Sequence, residues 1–273
     1  MDPLDRIAAA LERLTPPLPE AADPAAHPAY VWRGGVLVAA RAFRPLSLDL
    51  LVGMEAQKTA LVANLDRLAK GFAAQDVLLW GARGTGKSAL VKSAVASVQG
   101  AGGDIALVEV AADRLDTLPR VFDAIAALPR AFALFVDDLG VDAAADARAL
   151  RSLLEGGAEA RPANARLIVT SNRRHLVARD MEDHDAGTRA VNPRDALDDQ
   201  LALADRFGLS LGFHAVDQAQ YLAIVRGYAA RFGLTVDDAE AVQWATRRGG
   251  RSGRVAWQFV TEVAGRAGLR LPD

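Results

Sequence analysis

A chain of 273 residues, 51% hydrophobic and 24% charged, has globular composition and is long enough for one large core or two modest ones. Its formal net charge of -2 gives no global attraction to nucleic acid or anionic lipid, and the absence of cysteine excludes disulfides and thiolate metal or redox sites. No run of about 18 apolar residues occurs, so no membrane span is expected. Met1 is followed by Asp2 and Asp5 rather than by a basic and then apolar leader, which makes the cytoplasm the expected location.

In chain order, Leu4, Ile7, Ala8, Leu11 and Leu14 fall at helical spacing, and Pro16, Pro17, Pro19, Pro24 and Pro28 then break the chain into an extended linker. The stretch from Tyr30 to Arg44 mixes aromatics, glycine and the short apolar run Val36-Leu37-Val38, the pattern of a strand or hairpin packed on a larger domain. Glu55 to Lys70 reads as a helix, with Leu61, Leu65 and Leu68 on one face. Short apolar runs then alternate with helical stretches: Val77 to Trp80, Ile105 to Val108, Ala133 to Val136, Leu167 to Val169 and Leu209 to Leu211. That alternation predicts an α/β fold with a five-stranded parallel sheet covered by helices on both faces. After Phe213, Asp217 to Phe232, Asp237 to Arg247 and Gly253 to Arg266 read as three helices. The expected organisation is an N-terminal segment over residues 1–45, an α/β domain over 46–213 and a helical subdomain over 214–273.

Between a predicted strand and a predicted helix lies Gly81-Ala82-Arg83-Gly84-Thr85-Gly86-Lys87-Ser88, which fits the phosphate-loop pattern G-x-x-x-x-G-K-[ST]. Glycines let backbone N–H groups turn inward and approach phosphate oxygens without Cβ clashes, and the following helix adds its positive N-terminal end, reached through Ala89. Lys87 is placed to reach the β- and γ-phosphates, and the Ser88 hydroxyl to coordinate Mg2+. Lysine is scarce in this arginine-rich chain, occurring only at Lys58, Lys70, Lys87 and Lys92.

The apolar strand Leu134-Phe135-Val136 ends in Asp137-Asp138, which delivers carboxylates to the edge of the sheet where open α/β folds bind ligands. Asp137 is the candidate Mg2+ holder, and Asp138 the candidate base that orients or deprotonates an attacking water. An acidic pair after a strand also serves as a helix cap or turn, a reading that stays open for Asp138. The ligand implied is MgATP.

With these motifs in place, the sequence from about Leu46 onward resembles the AAA+ superfamily of P-loop ATPases. Asp49-Leu50-Leu51-Val52-Gly53 is similar to the segment that lines the adenine pocket in that superfamily, which makes Gly53 a candidate nucleotide contact. Thr170-Ser171-Asn172 looks like sensor 1, with Asn172 the polar contact to the γ-phosphate or the water. Asp205-Arg206-Phe207 stands where such proteins place an arginine finger, and Gly250 to Ala256 resembles sensor 2, with Arg254 the match. Trp80 to Ser88, Leu154 to Gly157, Thr170 to Leu176, Ala204 to Leu209 and Arg248 to Arg254 look more narrowly like the bacterial branch called domain of unknown function 815.

The resemblance implies an ATPase that assembles as a homo-oligomer, with Arg206 acting on a neighbour's nucleotide, and that remodels or loads an unknown macromolecular partner. Competing readings are an ion pair of Arg206 with Asp205 or Asp199, and a solvent-exposed helix start at Arg254. Two other uses of the nucleotide remain open. One is a slow nucleotide-dependent switch, favoured by aspartate at 138 where such ATPases carry glutamate. The other is a nucleic-acid helper, suggested by Val136 to Gly140 and opposed by the acidic charge. Arg173 and Arg174 are either interface residues or a solvated loop, and Arg179 to Arg194 reads as an exposed loop. His175, His184 and His214 lack metal-ligand spacing.

Overall fold

The computed structural model describes residues 19–139, 161–172 and 206–271, with the single positions Arg6, Leu150 and Leu154. The expected N-terminal helix, Arg173 to His175, the loop from Arg179 to Arg194, and Asp205 lie outside the described residues.

Among the described residues, seven strands form one sheet: β1 (Ala29–Arg33), β2 (Val36–Ala39), β3 (Val77–Gly81), β4 (Ile105–Glu109), β5 (Ala131–Val136), β6 (Ala165–Ser171) and β7 (Leu209–Phe213), in the spatial order β2-β1-β4-β5-β6-β3-β7. The five runs read from the sequence are β3 to β7, and they pair in parallel. The sheet therefore has seven strands rather than five, and it is not wholly parallel. The two additional strands come from the segment around Tyr30. Gly34 and Gly35 both take positive φ, 61° and 82°, which closes a two-residue turn and folds β2 antiparallel onto β1. β1 then adds in parallel to β4, with Tyr30 opposite Val108. Tyr30 is fully buried and the Trp32 indole N–H donates to Thr117 Oγ1 at 3.0 Å, so this hairpin belongs to the sheet's core rather than lying on its surface. Its strands are too short to stand out from their polar and glycine neighbours in the sequence.

Every residue of β5 is buried, and the strand alternates between two cores. Phe132, Leu134 and Val136 pack on one face with Tyr30, Leu78, Val121 and Leu167. Ala133 and Phe135 pack on the other with Leu61, Leu65, Leu79, Leu90 and Ile168. Helices α1 (Glu55–Ala69) and α2 (Lys87–Gly100) cover this second face, and α3 (Leu118–Ile125) covers the first. That two-sided cover explains why the central strands read as continuous apolar runs.

Three further helices, α4 (Gln218–Arg231), α5 (Asp238–Arg247) and α6 (Gly253–Arg266), enclose a core of their own around Tyr221, Val225, Phe259 and Val260. Each starts on a side-chain cap: Asp217 accepts from Gln220 N–H, Asp237 from Ala239 N–H and Ser252 from Val255 N–H. No described helix is long and apolar enough to cross a membrane.

Asn64 on α1 is fully buried and ties the helix to the entry of β3. Its amide donates to Gln75 C=O and accepts from Gln75 N–H, both at 2.9 Å. Asn64→Ala removes both hydrogen bonds, each worth about 0.5–1.5 kcal/mol net, and leaves a void where the fully buried side chain stood. Urea unfolding should show a loss of about 3 kcal/mol, several times that of the exposed Thr261→Ala.

Candidate functional site

The carboxyl ends of β3, β5 and β6 converge on one edge of the sheet, and the loop following β3 runs directly into α2. Gly86 occupies the N-cap of α2 without any side-chain cap. The first-turn N–H groups of that helix therefore lack both intrahelical and side-chain acceptors, which leaves a pole suited to an anion. Gly84 takes φ of +77°, and its carbonyl accepts from Gly253 N–H at 3.2 Å. A Cβ at Gly84 would stand 2.9 Å from Ser252 Cβ. Glycine is thus required both by the loop's conformation and by the closeness of α6 above it.

Lys87 is 5% exposed. Its ammonium donates to Gly81 C=O at 3.0 Å, Ala82 C=O at 2.9 Å and Asn172 Oδ1 at 2.9 Å. Burial pushes its pKa below the usual lysine value, and the charges of Asp138 and Asp137 oppose that shift. Thr85 Oγ1 donates to Ala82 C=O at 2.8 Å, pinning the loop from within.

Ser88 Oγ donates to Asp137 Oδ1 at 2.6 Å, linking residues 49 apart in sequence. Thr170 Oγ1 donates to the same carboxylate oxygen at 2.6 Å and accepts from Asp138 N–H at 2.8 Å. The Asn172 amide donates to Asp138 Oδ1. A hydroxyl and a carboxylate oxygen in contact beside an uncapped helix start are an oxygen pair that fits a hard divalent cation with phosphate. Lys87, Asn172 and Asp138 form one hydrogen-bonded chain beside them.

A cavity of about 630 Å3 opens over these groups. At the end over the loop it is lined by Arg83, Gly84, Thr85, Gly86, Lys87, Ser88, Ala89, Asp137, Asp138, Thr170 and Asn172. Gly253 and Arg254 close it from α6. Its other end is largely apolar, with Leu50, Val52 and Met54 on one side and Val216, Ile224, Tyr228, Phe232 and Trp257 of the helical region on the other. Arg44 and Arg231 also reach this end, and the acidic groups lining the cavity, Asp137 and Asp138, are at the end over the loop.

Four sequence-derived candidates do not line the cavity. Gly81 and Ala82 lie below it and supply carbonyls to Lys87. Gly53 stands between two lining residues, its φ at +79°. Arg206 is half-buried and precedes β7 at the opposite edge of the sheet from the phosphate loop. Leu209 at the start of β7 pairs with Val77 at the start of β3, so a strand of five residues, rising about 3.3 Å per residue, separates Arg206 from the loop.

Nothing in the string Thr170-Ser171-Asn172 sets Thr170 apart from its neighbours. Tyr228, Phe232 and Trp257 likewise carry no signal in the sequence beyond a helical spacing that marks them as core. Only the packing of α4 and α6 over the loop turns those aromatic rings toward the cavity.

No curated protein matches the chain by sequence. Among solved structures, the fold is similar to that of the RuvB Holliday junction branch migration motor of Thermotoga maritima. The identity is 19%, the TM-score 0.51, and the match covers 83% of this chain and 68% of that one. It is also similar to the ORC2 protein of Aeropyrum pernix in ADPNP and ADP complexes, at 16% identity and TM-score 0.55, covering 84% and 67%. Domain III of the replication initiation protein DnaA from Thermotoga maritima matches at 13% identity and TM-score 0.51, covering 83% and 91%. These neighbours are AAA+ ATPases, and at such identities they establish a shared fold. The family model described as protein of unknown function (DUF815) matches residues 25–267, and this chain, built on the AAA+ fold, belongs to that family.

Proposed function

We propose that this chain binds MgATP in the cavity between the phosphate loop and the helical lid and hydrolyses it at a site completed by a second copy of the chain. The cycle then drives or gates rearrangement of a macromolecular partner. The observation that carries this reading is the pair of links between the loop and the end of β5: Ser88 to Asp137, and Lys87 through Asn172 to Asp138.

Ser88 and Asp137 would hold Mg2+, which would offset the charge of the phosphates there. Bound MgATP supplies a terminal phosphoryl group open to attack by water. The glycine-rich loop and the uncapped N–H groups of α2 hold phosphate oxygens, and Lys87 exchanges its carbonyl partners for them. Asp138 orients a water and accepts its proton, while Asn172 orients the Asp138 carboxylate. Arg254 approaches the phosphates from α6, and the apolar side chains of the lid exclude water from the base. Gly53 shapes the turn that presents Val52 and Met54 to that base.

Arg206 lies too far from its own chain's loop to act there, so the proposed assembly is a head-to-tail homo-oligomer in which it reaches the neighbour's phosphates. A slower use of the same site is favoured by one observation: the short Asp138 side chain is already tied to Asn172. On that reading the protein is a nucleotide-dependent switch that turns over rarely. The neighbours' roles in branch migration and replication initiation suggest a nucleic-acid partner as an alternative. Salt-dependent binding to single-stranded DNA is its test.

Lys87→Ala removes a charge-assisted contact worth about 1.5–3 kcal/mol, so MgATP affinity measured by calorimetry should fall about 10- to 100-fold. Because burial lowers the Lys87 pKa, its ammonium is lost at lower pH than that of an exposed lysine. Wild-type affinity should accordingly decline with rising pH before an exposed lysine would titrate, and Lys87→Ala should flatten that alkaline limb. Arg206→Ala should lower kcat by about 10³- to 10⁵-fold with MgATP affinity retained. Full turnover by Arg206→Ala, or turnover by a protein that light scattering shows to stay monomeric with MgATP, would sink the shared-site reading.

A further inference from the structure

Two carboxylates leave the end of β5 side by side, and a single hydroxyl touches the mounts of both. Thr170, on the last turn of pleat of β6, is 1% exposed. Its Oγ1 donates to Asp137 Oδ1 at 2.6 Å and accepts from Asp138 N–H at 2.8 Å. A hydroxyl has one proton to give. With that proton on the carboxylate, a lone pair is left for the amide, so the two contacts are compatible and mutually orienting.

The backbone shows why such a tether is needed. Asp138 has φ of +54° and is the one non-glycine residue with positive φ among the described residues. Aspartate tolerates this conformation better than most residues, but it still costs on the order of 1 kcal/mol and persists only when neighbours enforce it. The enforcing contacts all come from the end of β6. Besides the Thr170 hydroxyl on Asp138 N–H, Leu139 N–H donates to Thr170 C=O at 2.8 Å and Ser171 Oγ donates to Leu139 C=O at 3.3 Å. Asn172 then holds the Asp138 carboxylate itself. Among these groups, only the Thr170 hydroxyl contacts both aspartates.

We propose that Thr170 is the positioning residue of this site: its hydroxyl aligns the Asp137 carboxylate for the cation and seats Asp138 in the left-handed conformation that hands its carboxylate to Asn172. The assignment rests on the MgATP reading above. Valine at this position keeps the shape of threonine but leaves the Asp138 N–H without its Thr170 acceptor and Asp137 Oδ1 with Ser88 alone. Serine keeps the hydroxyl and loses only a methyl group.

The test compares full-length wild type, Thr170→Val and Thr170→Ser for binding of mant-ATP, once in excess EDTA and once with Mg2+, alongside steady-state ATP hydrolysis. The gain in affinity on adding Mg2+ should shrink about 10-fold or more in Thr170→Val, with EDTA affinity within about twofold of wild type and kcat down about 10- to 100-fold. Thr170→Ser should restore both the Mg2+ gain and kcat. The assignment is overturned if Thr170→Val keeps the wild-type Mg2+ gain, if it weakens binding equally in EDTA and Mg2+, or if serine does not rescue. A wild type that binds mant-ATP with a Mg2+ gain but does not turn over removes the hydrolysis reading alone, and the gain still judges Thr170. A wild type that binds no mant-ATP removes both.

Discussion

Lys87 carries its ammonium into a place where the immediate partners are neutral oxygens, and the site is arranged around that placement. Burial disfavours the charge, three acceptors hold it, and Asp137 and Asp138 offset part of the cost through space. The carbonyls of Gly81 and Ala82 are available because β3 ends and the chain turns sharply there. Asn172 is available because β6 lies beside β3, with Ser171 opposite Trp80. Displace any of these strands and the ammonium loses one of its three acceptors.

The same edge explains how the acidic pair is organised. β5 and β6 are neighbours, with Val136 opposite Val169, so the residues that follow β5 leave directly beside Thr170 and Asn172. Hydrogen bonds run from Ser88 through Asp137 and Thr170 to Asp138, and from Asp138 through Asn172 to Lys87. The result is a closed circuit from α2 through the ends of β5 and β6 and back to α2. Such a circuit suits groups that must share a small polyanion and its cation, since each side chain is oriented before any ligand arrives.

The helical region bears on this circuit through backbone as well as side chains. Gly253 N–H meets Gly84 C=O, and Gln220 donates to Val52 C=O at 3.0 Å. The two contacts anchor α6 over the phosphate loop and α4 over the segment at the apolar end of the cavity. Trp257 packs edge-on against Tyr228 and Phe232, with ring centroids 5.2 and 5.8 Å away, so the apolar wall is itself a packed cluster. A change in the tilt of these helices would be felt at once by the loop.

By itself, the sequence determined the elements and the chemistry that is local. The phosphate loop was legible because its glycines and lysine are contiguous, and the five parallel strands because burial on both faces removes polar residues from them. The caps at Asp217, Asp237 and Ser252 follow from the same local rules, since each bonds an amide two or three residues on. Tertiary structure decided whatever depends on neighbours distant in the chain. It placed the Tyr30 hairpin in the sheet, because the pairing of β1 with β4 is chosen by the open edge of β4 and not by any signal in β1 alone. It singled out Thr170 from Thr170-Ser171-Asn172, because only the register of β5 against β6 says which hydroxyl meets the aspartates. It set Arg206 at the edge of the sheet away from its own loop, a separation that follows from the parallel pairing of β7 with β3 and that spacing in the sequence does not express.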